Sequence, residues 1–394
     1  MKLAGRLAHI DPFYVMECAK VAHEIAQSPE CDPAQGGERM IYLNIGEPDF
    51  TAPAPVVDAA EVALRAGRSQ YTSAMGLPEL RERISQWYAT RWGVDVPARR
   101  IVITAGASAG LQLVCQALFE AGDEVLMPDP SYPCNRHFVA ATGATARLVP
   151  TTAAMRFQLD ADAVDAHWTP QTRGVLLATP SNPTGTSIAP AELARIVDAV
   201  RSRGGVAIVD EIYQGLSYDP AFEHCALAFG DDIVSVNSFS KYFGMTGWRL
   251  GWLVLPEALV EPVERLAQNL YICASSIAQH AAVAAFDAAS LAECETRRTA
   301  FRERRDFLVP ALRKLGLEVP VVPDGAFYVW ADCSAFAGNS WDFAMQLMHS
   351  AHVALTPGKD FGPTHANTYF RLSFATAMPQ LQETVSRLAR ELHR

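Results

Sequence analysis

Between about residues 55 and 290 the chain alternates short apolar runs with longer segments of helical spacing, and no other feature restricts its fold as much. The apolar runs are Ile101–Thr104, Glu124–Met127, Gly174–Ala178, Val206–Val209, Ile233–Val236 and Leu250–Leu255. Helical segments precede or separate them: Val56–Ala66, Glu79–Trp92, Ala109–Phe119 and Pro190–Ser202. Val206-Ala207-Ile208-Val209 is apolar at every position, as a strand covered on both faces must be. Such strands, joined by helical crossovers, predict an α/β domain with a mostly parallel sheet. Beyond about 290 the pattern changes to a long charged helix (Glu293–Leu315), a strand (Ala326–Ala331), a helix (Trp341–Ala351) and a last strand–helix pair. That predicts a smaller α/β unit, joined by an N-terminal arm and helix that lead into a strand at Ile41–Leu43. The expected division is 1–48, 49–290 and 291–394.

A chain of 394 residues is long enough for two cores. Its net charge of −10 gives nucleic acid no electrostatic foothold. Arg387, Arg390 and Arg394 alternate with Glu383 and Glu391, which reads as a solvated helix face. The eight cysteines are scattered, with no C-x-x-C pair, which predicts free thiols in a reducing compartment. No apolar run reaches membrane-spanning length and no signal-peptide core is visible, so a soluble cytoplasmic protein is expected.

In open α/β sheets, sites form outside the carboxyl ends of the strands. Reading past those ends gives Ala105-Gly106-Ala107-Ser108, small residues ahead of a helix that can offer backbone N–H groups to an anion. Next come Asp129-Pro130-Ser131-Tyr132-Pro133, then Thr179-Pro180-Ser181-Asn182-Pro183-Thr184-Gly185, then Asp210-Glu211-Ile212-Tyr213. Last comes Ser238–Arg249, where Lys241 stands among Ser238 and Ser240 with Arg249 eight residues on. Hydroxyls and a guanidinium suit a phosphate, and a lysine beside them suits a Schiff base. Singly, each has an ordinary reading: a solvated lysine, a turn asparagine, an N-capping aspartate, a core tyrosine. Together, in order at successive strand ends, they point to one site. His349 and His352 are spaced i, i+3 but lack a cysteine or carboxylate partner, so they read as a solvated helix face and no metal site is expected. Lys359 has no phosphate-binding set around it.

These segments, with Asn44-Ile45-Gly46-Glu47-Pro48-Asp49-Phe50, Gln70-Tyr71-Thr72, Gly76, Leu80-Arg81, Gly325-Ala326-Phe327-Tyr328, Pro357-Gly358 and Phe370-Arg371-Leu372-Ser373, resemble the class I/II pyridoxal-phosphate aminotransferases of fold type I. The likeness runs from Asn44 to Thr376. It implies a large domain with a mostly parallel seven-stranded sheet covered by helices, plus a smaller α/β domain built from both termini. It implies that Lys241 binds pyridoxal 5'-phosphate as a Schiff base and that Ser238, Ser240 and Arg249 hold the phosphate, helped by Gly106, Ala107 and Ser108. Tyr132 and Ile212 would cover the two faces of the ring, Asn182 and Tyr213 would bond its phenolic oxygen, and Asp210 would pair with its nitrogen. Arg371, Asn182 and the Gly46 backbone would hold the substrate carboxylate. Tyr71 would reach the cofactor phosphate of a partner subunit, implying a homodimer with shared sites.

The implied reaction moves the amino group of an L-α-amino acid to a 2-oxo acid, usually 2-oxoglutarate, in a ping-pong cycle. Ser108 replaces a lysine found in one acid-selective bacterial subgroup, and the arm reads Pro12-Phe13-Tyr14 where polar small residues help that lysine. Both changes favour neutral, aromatic or aliphatic donors, with aspartate retained as an alternative. Arg136 is a candidate replacement cation, against a surface role. A carbon–sulfur β-lyase on the same cofactor is the alternative reaction. A cofactor-sensing DNA-binding regulator is disfavoured by the charge and by the shortness of the segment ahead of Asn44.

Overall fold

The computed structural model describes residues 1–393; Arg394 lies outside the described residues. The strands are β1 (Ile41–Tyr42), β2 (Ile101–Thr104), β3 (Glu124–Asp129), β4 (Thr145–Pro150), β5 (Thr172–Ala178), β6 (Val206–Asp210), β7 (Val234–Ser238) and β8 (Gly251–Val254), followed by β9 (Tyr328–Asp332), β10 (Val353–Ala354), β11 (Thr356–Pro357) and β12 (Tyr369–Ser373). A seven-stranded sheet runs in the order β2-β8-β7-β6-β5-β3-β4. β4, β3, β5, β6 and β7 are mutually parallel; β8 is antiparallel to both β7 and β2. Two reversals return β2 to the common direction, so its carboxyl end lies on the same edge as those of β3, β5, β6 and β7.

Strand periodicity explains why this sheet sits between two cores. Ala207 and Val209 belong to one hydrophobic cluster with Leu177, Val175 and Trp252. Ile208 belongs to another with Leu176, Val236 and Leu253. Successive side chains point to opposite faces, so continuous apolar runs are what a sheet covered on both sides requires.

The seven-stranded α/β architecture is as expected, with one strand that sequence patterning passed over. β4 is an edge strand, half-exposed along most of its length, so it lacks an apolar run. Outside the large sheet, β11, β12 and β9 form an antiparallel three-stranded sheet, and β1 pairs in parallel with β10. The latter pairing ties the N-terminal segment to the C-terminal part. His352 is a correction: it is buried in the left-handed region (φ +52°), past the end of the helix Ser340–Ser350, whereas His349 is exposed on that helix. The two share no helix face, and the described residues contain no metal-ligating cluster. All eight cysteines are free, and no helix among the described residues is long and apolar enough to cross a membrane.

Candidate active site

A cavity of about 520 Å³ opens at the shared carboxyl edge of the sheet. Of the residues to which the sequence resemblance gives a cofactor or substrate role, all but Gly106 and Tyr71 line it. The strand ends deliver them: Asp210 ends β6, Ser238 ends β7, and Asn182 and Tyr132 follow β5 and β3. β12 brings Arg371 from the other side, and the helix Tyr14–Ala26 with the residue before it contributes Phe13, Val15, Met16 and Ala19.

Gly106 lies just behind the wall and keeps it open. Its φ of +85° suits glycine, and a Cβ there would come within 2.8 Å of Arg249 Nη2. It is the N-cap of the helix Ala107–Leu118 and supplies no side-chain cap, so first-turn N–H groups are free to meet an anion. Ser238 Oγ donates to Ser240 Oγ (2.9 Å) and accepts from the Ser240 N–H (3.0 Å), which packs both hydroxyls under the cavity. Arg249 is exposed, its Nη1 donates to Thr246 O (3.1 Å), and its backbone is left-handed at φ +55°. That conformation costs a non-glycine residue about 1–2 kcal/mol, a strain of the kind concentrated at functional sites. Tyr71 is 79% exposed and stands outside its own chain's cavity.

Lys241 is half-buried, and its Nζ donates to the Gly46 carbonyl (2.5 Å). Burial, with the nearby positive charge of Arg371, lowers its pKa to about 8. Asp210 is buried, its Oδ1 accepts the Ile212 N–H (3.1 Å), and no cation among the described residues forms a salt bridge with it. Burial pushes its carboxyl up to about 6. The next residue, Glu211, points into the core, where it accepts from Ser235 Oγ (2.6 Å) and the Ala226 N–H (2.8 Å). Adjacent acids therefore have opposite fates, one facing the cavity and one bonded beneath it.

Arg371 is 2% exposed, yet no carboxylate among the described residues pairs with it. Its Nη1 donates to Asn182 Oδ1 (2.9 Å), and its Nη2 donates to Asn44 O (2.5 Å) and to Thr356 Oγ1 (3.3 Å). Its Nε is buried without a partner. The Asn182 bond also fixes the amide, turning its NH2 away from Arg371. Register places Thr356 opposite Arg371 across β11 and β12, which no sequence signal near either residue reveals. Tyr328 is a further lining residue: its hydroxyl is 2.7 Å from that of Tyr213, and the Arg371 guanidinium lies 4.5 Å from its ring centroid. Sequence comparison placed it in a motif without assigning it a role. Lys359 is exposed against Tyr14, away from the cavity. Arg136 also misses it, donating to Asp360 O (3.1 Å) and lining a separate cavity.

A deprotonatable lysine and an unpaired guanidinium around one cavity suit an enzyme that works on a molecule carrying a carboxylate. The chain belongs to the family described as aminotransferase class I and II, whose sequence profile matches residues 38–388. It is 39% identical over 382 residues to a valine–pyruvate aminotransferase of Mycobacterium tuberculosis, covering 97% of this chain and 96% of that one. Among solved structures it resembles an aminotransferase from Mycobacterium tuberculosis (TM-score 0.94, 38% identity, 100% and 99% coverage). It also resembles an aspartate aminotransferase from Thermus thermophilus with maleate (TM-score 0.91, 31% identity, 99% coverage of each). The protein is thus an aminotransferase acting on small amino and oxo acids, and its cofactor is pyridoxal phosphate.

The residues present fit that cofactor. The uncapped helix start beside Ser238, Ser240 and Arg249 is an anion cradle that a side chain at position 106 would fill. Asp210 is a buried carboxyl lacking a cation, and Lys241 is an amine whose proton is held weakly.

Proposed function

We propose that this aminotransferase takes its amino group from a neutral, aliphatic or aromatic L-α-amino acid. The observation that carries this is the composition of the cavity wall. Apart from Arg371, its only cations among the described residues are Lys241 and Arg249, while Phe13, Val15, Met16, Ala19 and Leu111 make a share of it apolar. Phe13 also meets Tyr132 edge-on at 6.2 Å, so the arm adds an aromatic surface. Burying an aliphatic or aromatic side chain is worth about 1.5–3 kcal/mol, whereas a distal carboxylate there would be desolvated without a partner. The same wall favours pyruvate, the acceptor named for the mycobacterial relative, over the 2-oxoglutarate implied by the sequence resemblance.

When bound, pyridoxal phosphate supplies an electron sink for the bond broken at the substrate's α-carbon. The chain's residues then divide the remaining work. Ser238, Ser240, Arg249 and the N–H groups at Ala107 and Ser108 would hold the phosphate. Asp210, ionised, would keep a proton on the ring nitrogen by charge pairing. Tyr132 and Ile212 would cover the ring, while the Asn182 amide and the Tyr213 hydroxyl would donate to its phenolic oxygen. Arg371 and the Gly46 backbone orient the substrate carboxylate, so that the α-hydrogen is the group aligned for removal. Lys241 Nζ, whose proton burial makes easy to lose, would take the α-proton as the general base.

We propose further that residues 49–290 form the cofactor-binding domain, with 1–48 and 291–394 forming the smaller one. The proposed assembly is a homodimer, since Tyr71 serves no site in its own chain, and the free thiols suit a cytoplasmic setting. The test mixes the holoenzyme with each amino acid in turn and follows loss of the lysine-bound cofactor's absorbance. Valine, leucine and phenylalanine should outpace aspartate by roughly 10-fold or more; a preference for aspartate would refute the reading. Pyruvate and ammonia released from cysteine conjugates without an acceptor would favour the lyase instead.

A further inference from the structure

We propose that Tyr328 is a positioning residue acting through Tyr213: its hydroxyl donates to the Tyr213 oxygen, leaving the Tyr213 proton for the phenolic oxygen of the cofactor. The proposal rests on the role given to Tyr213 above. The two hydroxyls are 2.7 Å apart and both side chains are buried. Burial raises the pKa of each phenol, so both keep their protons around neutral pH and the pair has two protons to place. Only one can lie between the two oxygens. If Tyr213 is to donate outward, that proton must come from Tyr328.

Three features hold Tyr328 in that position. Its ring is edge-on to Tyr213, with centroids 5.7 Å apart at 83°. The Arg371 guanidinium lies 4.5 Å from its centroid. Position 46 has no side chain, and a Cβ there would overlap the Tyr328 hydroxyl. Glycine at 46 therefore makes room for a specific oxygen, in addition to presenting its carbonyl to Lys241. An O–H whose oxygen accepts a hydrogen bond becomes a stronger donor, by roughly 10–30% per bond. Donation to the phenolic oxygen stabilises its anionic form and lowers the pKa of the lysine–cofactor link.

The readout is the pH titration of cofactor absorbance in the resting holoenzyme, which involves no turnover. Tyr213→Phe should raise the midpoint by about 1–2 units, the equivalent of one hydrogen bond to a charged group. Tyr328→Phe should raise it by roughly 0.1–0.6 units, the fraction expected for its polarising share. In the double variant Tyr328→Phe should add nothing, because it acts only through Tyr213. Gly46→Ala, which displaces the hydroxyl while keeping Tyr328, should give an upward shift that also vanishes in the Tyr213→Phe background; it serves if Tyr328→Phe does not fold. An unchanged midpoint in Tyr328→Phe, or a shift that persists in full without Tyr213, overturns the proposal. An unchanged midpoint in Tyr213→Phe overturns the role of Tyr213 and this proposal with it.

Discussion

Replacing Arg371 by alanine should separate carboxylate recognition from amine chemistry. A guanidinium has five N–H groups, and three are engaged by Asn182, Asn44 and Thr356. Two remain, one on Nη1 and one on the buried, unpartnered Nε, so the charge has no anionic partner within the chain and is open to an incoming carboxylate. Each charge-assisted bond contributes about 1.5–3 kcal/mol, and loss of a buried charged pair costs about 2–5 kcal/mol. The expected loss of about 3–5 kcal/mol corresponds to a fall of roughly 150- to 4,000-fold in kcat/KM. The assay is the single-turnover half-reaction of holoenzyme with an α-amino acid, alongside a matched primary amine lacking the carboxylate. The variant should lose its advantage for the amino acid while its slow reaction with the amine stays within a few-fold of wild type. A loss below 10-fold, or an equal loss for both compounds, would refute the reasoning.

Other predictions concern the proton-holding groups. Lys241→Ala should abolish multiple turnover, and borohydride reduction of the resting enzyme should tag Lys241 and leave the exposed Lys359 unmodified. With its pKa at about 8, Lys241 in cofactor-free protein should react with an amine-directed reagent at a rate that levels off above that pH; a rate still climbing to about 10, as for an ordinary lysine, would contradict the assignment. Asp210 has a folded-state pKa of about 6, above the unfolded value of about 3.9. The folded state therefore holds that proton more tightly, and stability should fall as pH rises from about 4 to 6, by roughly 3 kcal/mol in the cofactor-free protein. Asp210→Asn should accordingly match wild type below pH 4 and exceed it in chemical denaturation above pH 6, while losing transamination. A stability difference independent of pH would count against the buried, unpaired carboxyl.

Apolar continuity in Val206–Val209 and its neighbours was enough to predict the doubly covered sheet, because a strand with no polar face has one stable environment. The edge strand Thr145–Pro150 escaped notice because its exposed, mixed composition resembles a loop, and β10 and β11 because two residues carry no periodicity. Lys241, Asn182, Asp210 and Arg371 were legible because their motifs are short and local. Tyr328 was visible only as part of a motif, and its hydroxyl meets that of Tyr213 across 115 residues of chain. Nor does sequence distinguish Arg136, turned toward Asp360, from a cation that could serve the substrate.

Sequence by itself determined the layered fold and the chemical groups at the strand ends, since periodicity and side-chain chemistry are local properties. Tertiary structure alone decided which groups meet. It left Arg371 without a carboxylate partner, set a tyrosine hydroxyl against the glycine at position 46, and turned the apolar residues of one amphipathic helix to the cavity. Those outcomes depend on distances between segments far apart in the chain, and only the packing of the whole molecule sets such distances.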